Sequence, residues 1–158
     1  MATIIQGSAY RSLLAGVKVT EPAAALPQTA TGNIFTITGG RVLLTSLTGM
    51  VTVATGAVAT TLTVGLTPTS GTAAPAGLAA ATAITSREVG TLLALPATAG
   101  GALVVGANAG GPVQTAVNNP YVLEPGTITI TTNASNTGSV QWDLTYVPLD
   151  DGASVAAV

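Results

Sequence analysis

Histidine and cysteine are both missing from this 158-residue chain, and charged side chains make up only 6% of it. Roughly 25% is usual for a soluble domain. With His and Cys go the commonest general base, the commonest metal ligand and the thiolate nucleophile. No disulfide can staple the fold, and the sequence carries no redox signal for either an oxidising or a reducing compartment. The four basic residues, Arg11, Lys18, Arg41 and Arg87, are scattered, and the net charge is -2. Nucleic-acid binding draws on several clustered contacts to phosphate, so no nucleic acid is expected as a partner.

Aromatic residues are also scarce: Tyr10, Phe35, Tyr121, Trp142 and Tyr146 are the whole supply. Each can bury about 150 to 250 Å², and the rest of the core must come from Val, Leu, Ile and Ala. The chain length fits one domain, but its core would be shallow and would gain from subunit contacts. Long apolar runs are lacking too. Val89 to Leu123 is uncharged, yet Pro96, Pro112, Pro120 and several glycines interrupt it, so no run of about 20 apolar residues suits a membrane helix. Near the start, Leu13 to Val17 is cut off by Lys18, which leaves it too short for a secretory signal.

What is present is β-branched and small. Met1 to Thr31 is irregular, with Glu21-Pro22 and Leu26-Pro27 around an alanine run. Proline favours extended geometry for itself and its predecessor, so residues 1–31 read as an extended arm. From Asn33 onward short β-branched runs alternate with turn residues, the spacing of a sandwich or barrel. Strands are expected at Asn33–Thr38, Arg41–Leu47, Met50–Ala54, Thr61–Thr67, Ala83–Glu88, Thr91–Leu95, Leu103–Val105, Thr127–Thr132 and Ser139–Val147. Gly39-Gly40 reads as a tight hairpin turn. Ser70 to Ala81, rich in Gly, Pro and Ala, reads as a long loop.

The period is clearest in two places. Leu62, Val64 and Leu66 alternate with threonines, and Val140, Trp142, Leu144 and Tyr146 alternate with Gln141, Asp143 and Thr145. Each segment therefore has one apolar face. Thr127–Thr132 and Ser139–Val147, joined by the polar Asn133 to Gly138, read as a hairpin. The organisation is then an arm over 1–31, an antiparallel all-β domain over 32–150 and a small apolar tail over 151–158.

Chemistry-bearing residues are few. Glu124 and Asp143 form the best carboxylate pair for acid–base work, but solvated charges at a turn and a strand face explain them better. Ser12 and Lys18 lie in the irregular arm, where nothing rigid positions them. Asp150-Asp151-Gly152 falls far short of the six to eight oxygens calcium usually takes and reads as a turn. Asn133-Ala134-Ser135 matches a glycosylation acceptor and is equally a loop. No enzyme, metal or cofactor is expected. Threonine and alanine are the commonest residues, and an uncharged threonine face can be buried between subunits at low desolvation cost.

These features carry a resemblance. The uncharged Ala/Thr/Gly/Val texture, the proline-broken start, Tyr121-Val122-Leu123-Glu124-Pro125-Gly126-Thr127-Ile128-Thr129-Ile130 and Val140-Gln141-Trp142-Asp143-Leu144-Thr145-Tyr146-Val147-Pro148-Leu149 resemble small virion proteins of tailed bacteriophages. Most of all the chain resembles capsid decoration, or cement, proteins. The resemblance implies a trimeric β-sandwich or jelly-roll, made in the host bacterial cytoplasm, that sits on the capsid surface and bridges capsomers. Its partners would be the major capsid protein and further copies of itself. The arm would pair with a capsid strand edge through Ile4, Ile5, Tyr10, Leu13, Leu14 and Val17. A tail or fibre component that contacts the host surface, or a pilus-type subunit, shares the same composition.

Overall fold

Alternation along the chain turns into two faces per strand in a computed structural model, which describes residues 16–114 and 120–158. Every regular element among them is a strand: β1 (Val17–Ala25), β2 (Thr31–Thr38), β3 (Val42–Val53), β4 (Thr61–Pro68), β5 (Ala74–Ala83), β6 (Leu92–Ala94), β7 (Val104–Val105), β8 (Tyr121–Leu123), β9 (Gly126–Thr132), β10 (Ser139–Pro148) and β11 (Ser154–Ala157). They form two antiparallel sheets. One runs β1-β10-β3-β6-β7, with β8 also paired to β3, and the other runs β11-β2-β9-β4-β5. The expected all-β sandwich is the fold.

The pairing is nested. β1 pairs with β10, β2 with β9, β3 with β6 and β8, and β4 with β5. A paired ribbon folded at the β4–β5 turn and rolled up gives this strand order, which is the connectivity of a jelly roll. Since each chain half supplies alternate strands, most connections cross from one sheet to the other.

Two expected hairpins are therefore crossings. Gly39-Gly40 leads from β2 in one sheet to β3 in the other, and Asn133 to Gly138 leads from β9 to β10, again in opposite sheets. Gly39 takes a φ of 76°, and a Cβ there would collide with the Gly152 carbonyl oxygen, so the crossing needs glycine. The two strands expected over 41–47 and 50–54 are one strand, β3, because β10 pairs along its whole length. Ser70 to Ala81 is a strand over most of its length. β5 is an edge strand with broken register, where Pro75 is tolerated and no alternating pattern is required. Of Ala83 to Glu88, Ala83 ends β5 and the rest is irregular around a Thr85-Ser86 turn, with Ser86 at a φ of 53°.

Parts of the arm and tail join the sheets. Within 1–31, residues 17–25 form an edge strand hydrogen-bonded to β10, and within 151–158, residues 154–157 pair with β2. Both belong to the sandwich. Proline at position 22 is compatible with β1 because an edge strand needs only one ladder.

Between the sheets lie Phe35, Ile37, Leu44, Leu47, Leu62, Val64, Ile128, Leu144 and Trp142, all 2% exposed or less. Trp142 sits directly opposite Gly49 on β3. A Cβ at Gly49 would come within 2.8 Å of the indole ring, so the small residue makes the space that the largest one fills. Replacing Phe35, fully buried, with alanine should lower unfolding free energy by about 3 to 5 kcal/mol in a denaturant titration.

At the Gly39-Gly40 crossing, Asp150 clasps Arg41. Oδ2 accepts from the Arg41 backbone N–H at 2.7 Å and from Nε at 3.0 Å, while Oδ1 accepts from Nη2 at 2.9 Å. The hydrogen bonds from the Arg41 side chain and backbone hold the Asp150 carboxyl down to about 2, against an ordinary 3.8. A folded-state value below the unfolded one favours folding when the group is ionised. The contribution is thus complete above pH about 4 and disappears as pH falls through about 2. Asp150→Asn should be less stable than the parent at neutral pH, and thermal melts across that acid window should show the two converge.

Candidate interaction surface

The outward faces of the two sheets follow from the same alternation. On the sheet led by β4 and β9, the outer positions form threonine rows. Thr31, Thr131 and Thr63 stand side by side, as do Ala156, Thr36, Thr127 and Thr67, with Thr38 beside Ser154 at the end. The hydroxyls of Thr31 and Thr131 are 2.7 Å apart and those of Thr38 and Ser154 are 3.1 Å apart. Hydroxyls bonded to each other have less need of water, so this face gives up little on burial. The centre is not flat: the Ala74-Pro75 backbone lies against Gly65, and Thr129 is buried.

The outer face of the other sheet is more apolar. Val147 on β10, Leu43 on β3 and Val122 on β8 are direct cross-strand neighbours, with Val122 57% exposed and Val147 37%. Neighbouring strands are about 4.8 Å apart, so three apolar side chains span roughly 10 Å. Further along, Met50 pairs with Leu92. Lys18 and Asp143, 3.0 Å apart, are the charged residues of this face and neutralise each other. Asp143 also accepts from the Thr20 hydroxyl at 2.5 Å.

Glu124 and Asp143 are not brought together. Asp143 stands opposite Thr48, whereas Glu124 follows Leu123, which stands opposite Val42. Six residues of extended strand separate the two positions by about 20 Å, far beyond the 5 to 9.5 Å of paired catalytic carboxyls. Asp150 is engaged by Arg41, and Asn133 Oδ1 accepts from the Thr61 backbone N–H at 2.7 Å, so these residues fasten crossings. Among the described residues no three His, Cys, Asp or Glu side chains converge. Of the expected contact residues, Ile4, Ile5, Tyr10, Leu13 and Leu14 lie outside the described residues, as does Ser12. Val17 opens β1 opposite Tyr146 and is 39% exposed.

Sequence reasoning gave Glu21 no role beyond the Glu21-Pro22 break. Glu21 stands opposite Trp142, on an inward-facing position of β1, and is 7% exposed. Its Oε2 accepts from the Val158 backbone N–H at 2.9 Å. Glu21 and Trp142 line a cavity of about 70 Å³ between the sheets, with Ala24, Ala25, Asn33 and Ile130 among the other walls. The signal in the sequence was slight: a lone acid beside a proline. No protein family, curated protein or solved structure matches this chain.

Proposed function

We propose that the chain is a structural protein of a tailed-bacteriophage virion, a capsid decoration protein that binds the outer capsid surface and bridges capsomers. The observation that carries this reading is the scarcity of charge on both outer sheet faces. One face is threonine, and the other carries the Val147–Leu43–Val122 row beside uncharged Thr20, Thr48, Gln141 and Thr145, with a single self-neutralised ion pair. Surfaces left to water in a monomer are normally rich in charge, while interface cores are depleted of it. A jelly-roll strand order fits the reading by analogy, since capsid proteins are among its bearers.

In this reading the Val147–Leu43–Val122 row meets a second copy of the chain in a homotrimer. An apolar row with no net charge can sit against its own kind without like-charge repulsion. Binding that favours the assembled shell over its dissociated parts stabilises the shell by mass action, and many copies add their contributions.

Light scattering on the purified chain should give an oligomer mass, and Val122→Glu should shift it to monomer while leaving the circular dichroism unchanged. The parent should also co-sediment with purified expanded phage capsids and raise their melting temperature. A monomeric parent, or adsorption to host cells with no affinity for capsids, would overturn the proposal.

A further inference from the structure

A ring of three copies sets a condition on its contacts. Off the three-fold axis no patch can meet its own equivalent, so each interface joins two different patches of the chain. The Val147–Leu43–Val122 row supplies one of them and needs a counterpart elsewhere. Among the described residues, large exposed apolar side chains gather again at the far end of β3, at Met50 and Val53. The segment after β5 runs antiparallel to that end. The Thr55 N–H donates to the Arg87 carbonyl at 2.9 Å, and the Gly90 N–H donates to the Val51 carbonyl at 2.8 Å. Val89 therefore lies beside Val53, and each keeps about half of its surface exposed.

Each patch is bordered by a charge, and the two charges are opposite. Glu124 stands two positions after Val122, and Arg87 stands two positions before Val89. Laying Val89 against Val122 with the chains antiparallel sets Arg87 over Glu124. Lys18 and Arg41 are held by Asp143 and Asp150, and among the described residues neither Arg87 nor Glu124 forms an ion pair. Glu88, between Arg87 and Val89, is drawn aside, since its Oε1 accepts from the Ala109 N–H at 2.7 Å. The Arg87 backbone is already fixed, its N–H donating to Thr55 Oγ1 at 2.6 Å, so docking orders little more than the side chain. Val122 stands opposite Leu43, and the ten residues from Leu43 to Val53 span about 33 Å of extended strand. The two patches thus lie at opposite ends of one sheet and face different neighbours.

We propose that the Val53–Val89 end of one copy receives the Val147–Leu43–Val122 row of the next, with Arg87 facing the Glu124 that borders that row, and that three such contacts close the ring. The proposal rests on the homotrimer reading and adds which two surfaces touch. An apolar row alone accepts any apolar surface. The charge at its border selects one partner surface and one orientation, which is what rim charges contribute more than affinity.

Light scattering over a dilution series gives the concentration at which trimers form. Arg87→Glu and Glu124→Arg each place like charges together and should raise that concentration about tenfold or more, while the double variant, which restores an opposite pair, should return it close to the parent. Circular dichroism checks that each variant is folded. The chain has no cysteine, so Val89→Cys combined with Val122→Cys gives an independent readout. Those positions are too far apart to join within one chain, and oxidation should give covalent species that end at the trimer. If a charge variant does not fold, the cysteine pair decides. A monomeric parent overturns the homotrimer reading and this contact with it. With a trimeric parent, this contact alone is overturned by single reversals that leave the trimer unmoved, by a double variant no better than the singles, by a cysteine pair that does not cross-link, or by a covalent ladder that runs past three.

Discussion

Burial of one face of each strand against the other sheet is the constraint from which the structure follows, and with charge almost absent the two faces are told apart by large apolar groups on one and threonine hydroxyls on the other. Threonine and valine have similar shapes, and charge is almost absent from the strands. Register is therefore set by where the large apolar groups fall. A slip of one residue on β9 would put Thr127, Thr129 and Thr131 inside and Ile128 and Ile130 outside. In the other sheet, Trp142 guards β10 against a similar slip, because its ring needs the gap that Gly49 leaves on β3. A shifted β10 would meet Thr48 or Met50 there instead.

Strands with strict alternation, such as β4, β9 and β10, were legible in the sequence, and so was the sandwich. Their neighbours were not. A turn such as Gly39-Gly40 or Asn133 to Gly138 reports that the chain reverses, but not whether it stays in one sheet. Nested pairing joins residues more than a hundred positions apart, as Thr20 and Asp143 show, and local composition has no access to that. β5 escaped notice because Ala, Gly and Pro give no period, and β1 because proline is compatible with an edge. Of the candidate surface, the threonine face was readable from β4 alone. The Val147–Leu43–Val122 row depends on three strands from distant parts of the chain, and the pairing of Glu21 with Trp142 depends on register.

The same nesting shapes how the molecule forms. Almost every ladder closes a long loop, so few contacts can form before the chain has largely collapsed, and slow folding is the usual companion of such topology. The edges of the finished sheets are short or interrupted. β7 has two residues and β11 four, while β1 and β5 carry Pro22 and Pro75. These features discourage sheets from joining edge to edge.

Both β1 and β11 are outermost in their sheets, and they are the first and last of the described strands. Either can detach by breaking a single ladder, whereas β3, β9 and β10, each flanked on both sides, cannot. Opening at β1 uncovers one edge of β10 from Ser139 to Tyr146, a ready template for a strand of the same sequence from a second molecule. The architecture thus contains the means for reciprocal strand exchange, in which two copies trade their first strands without rearranging either core.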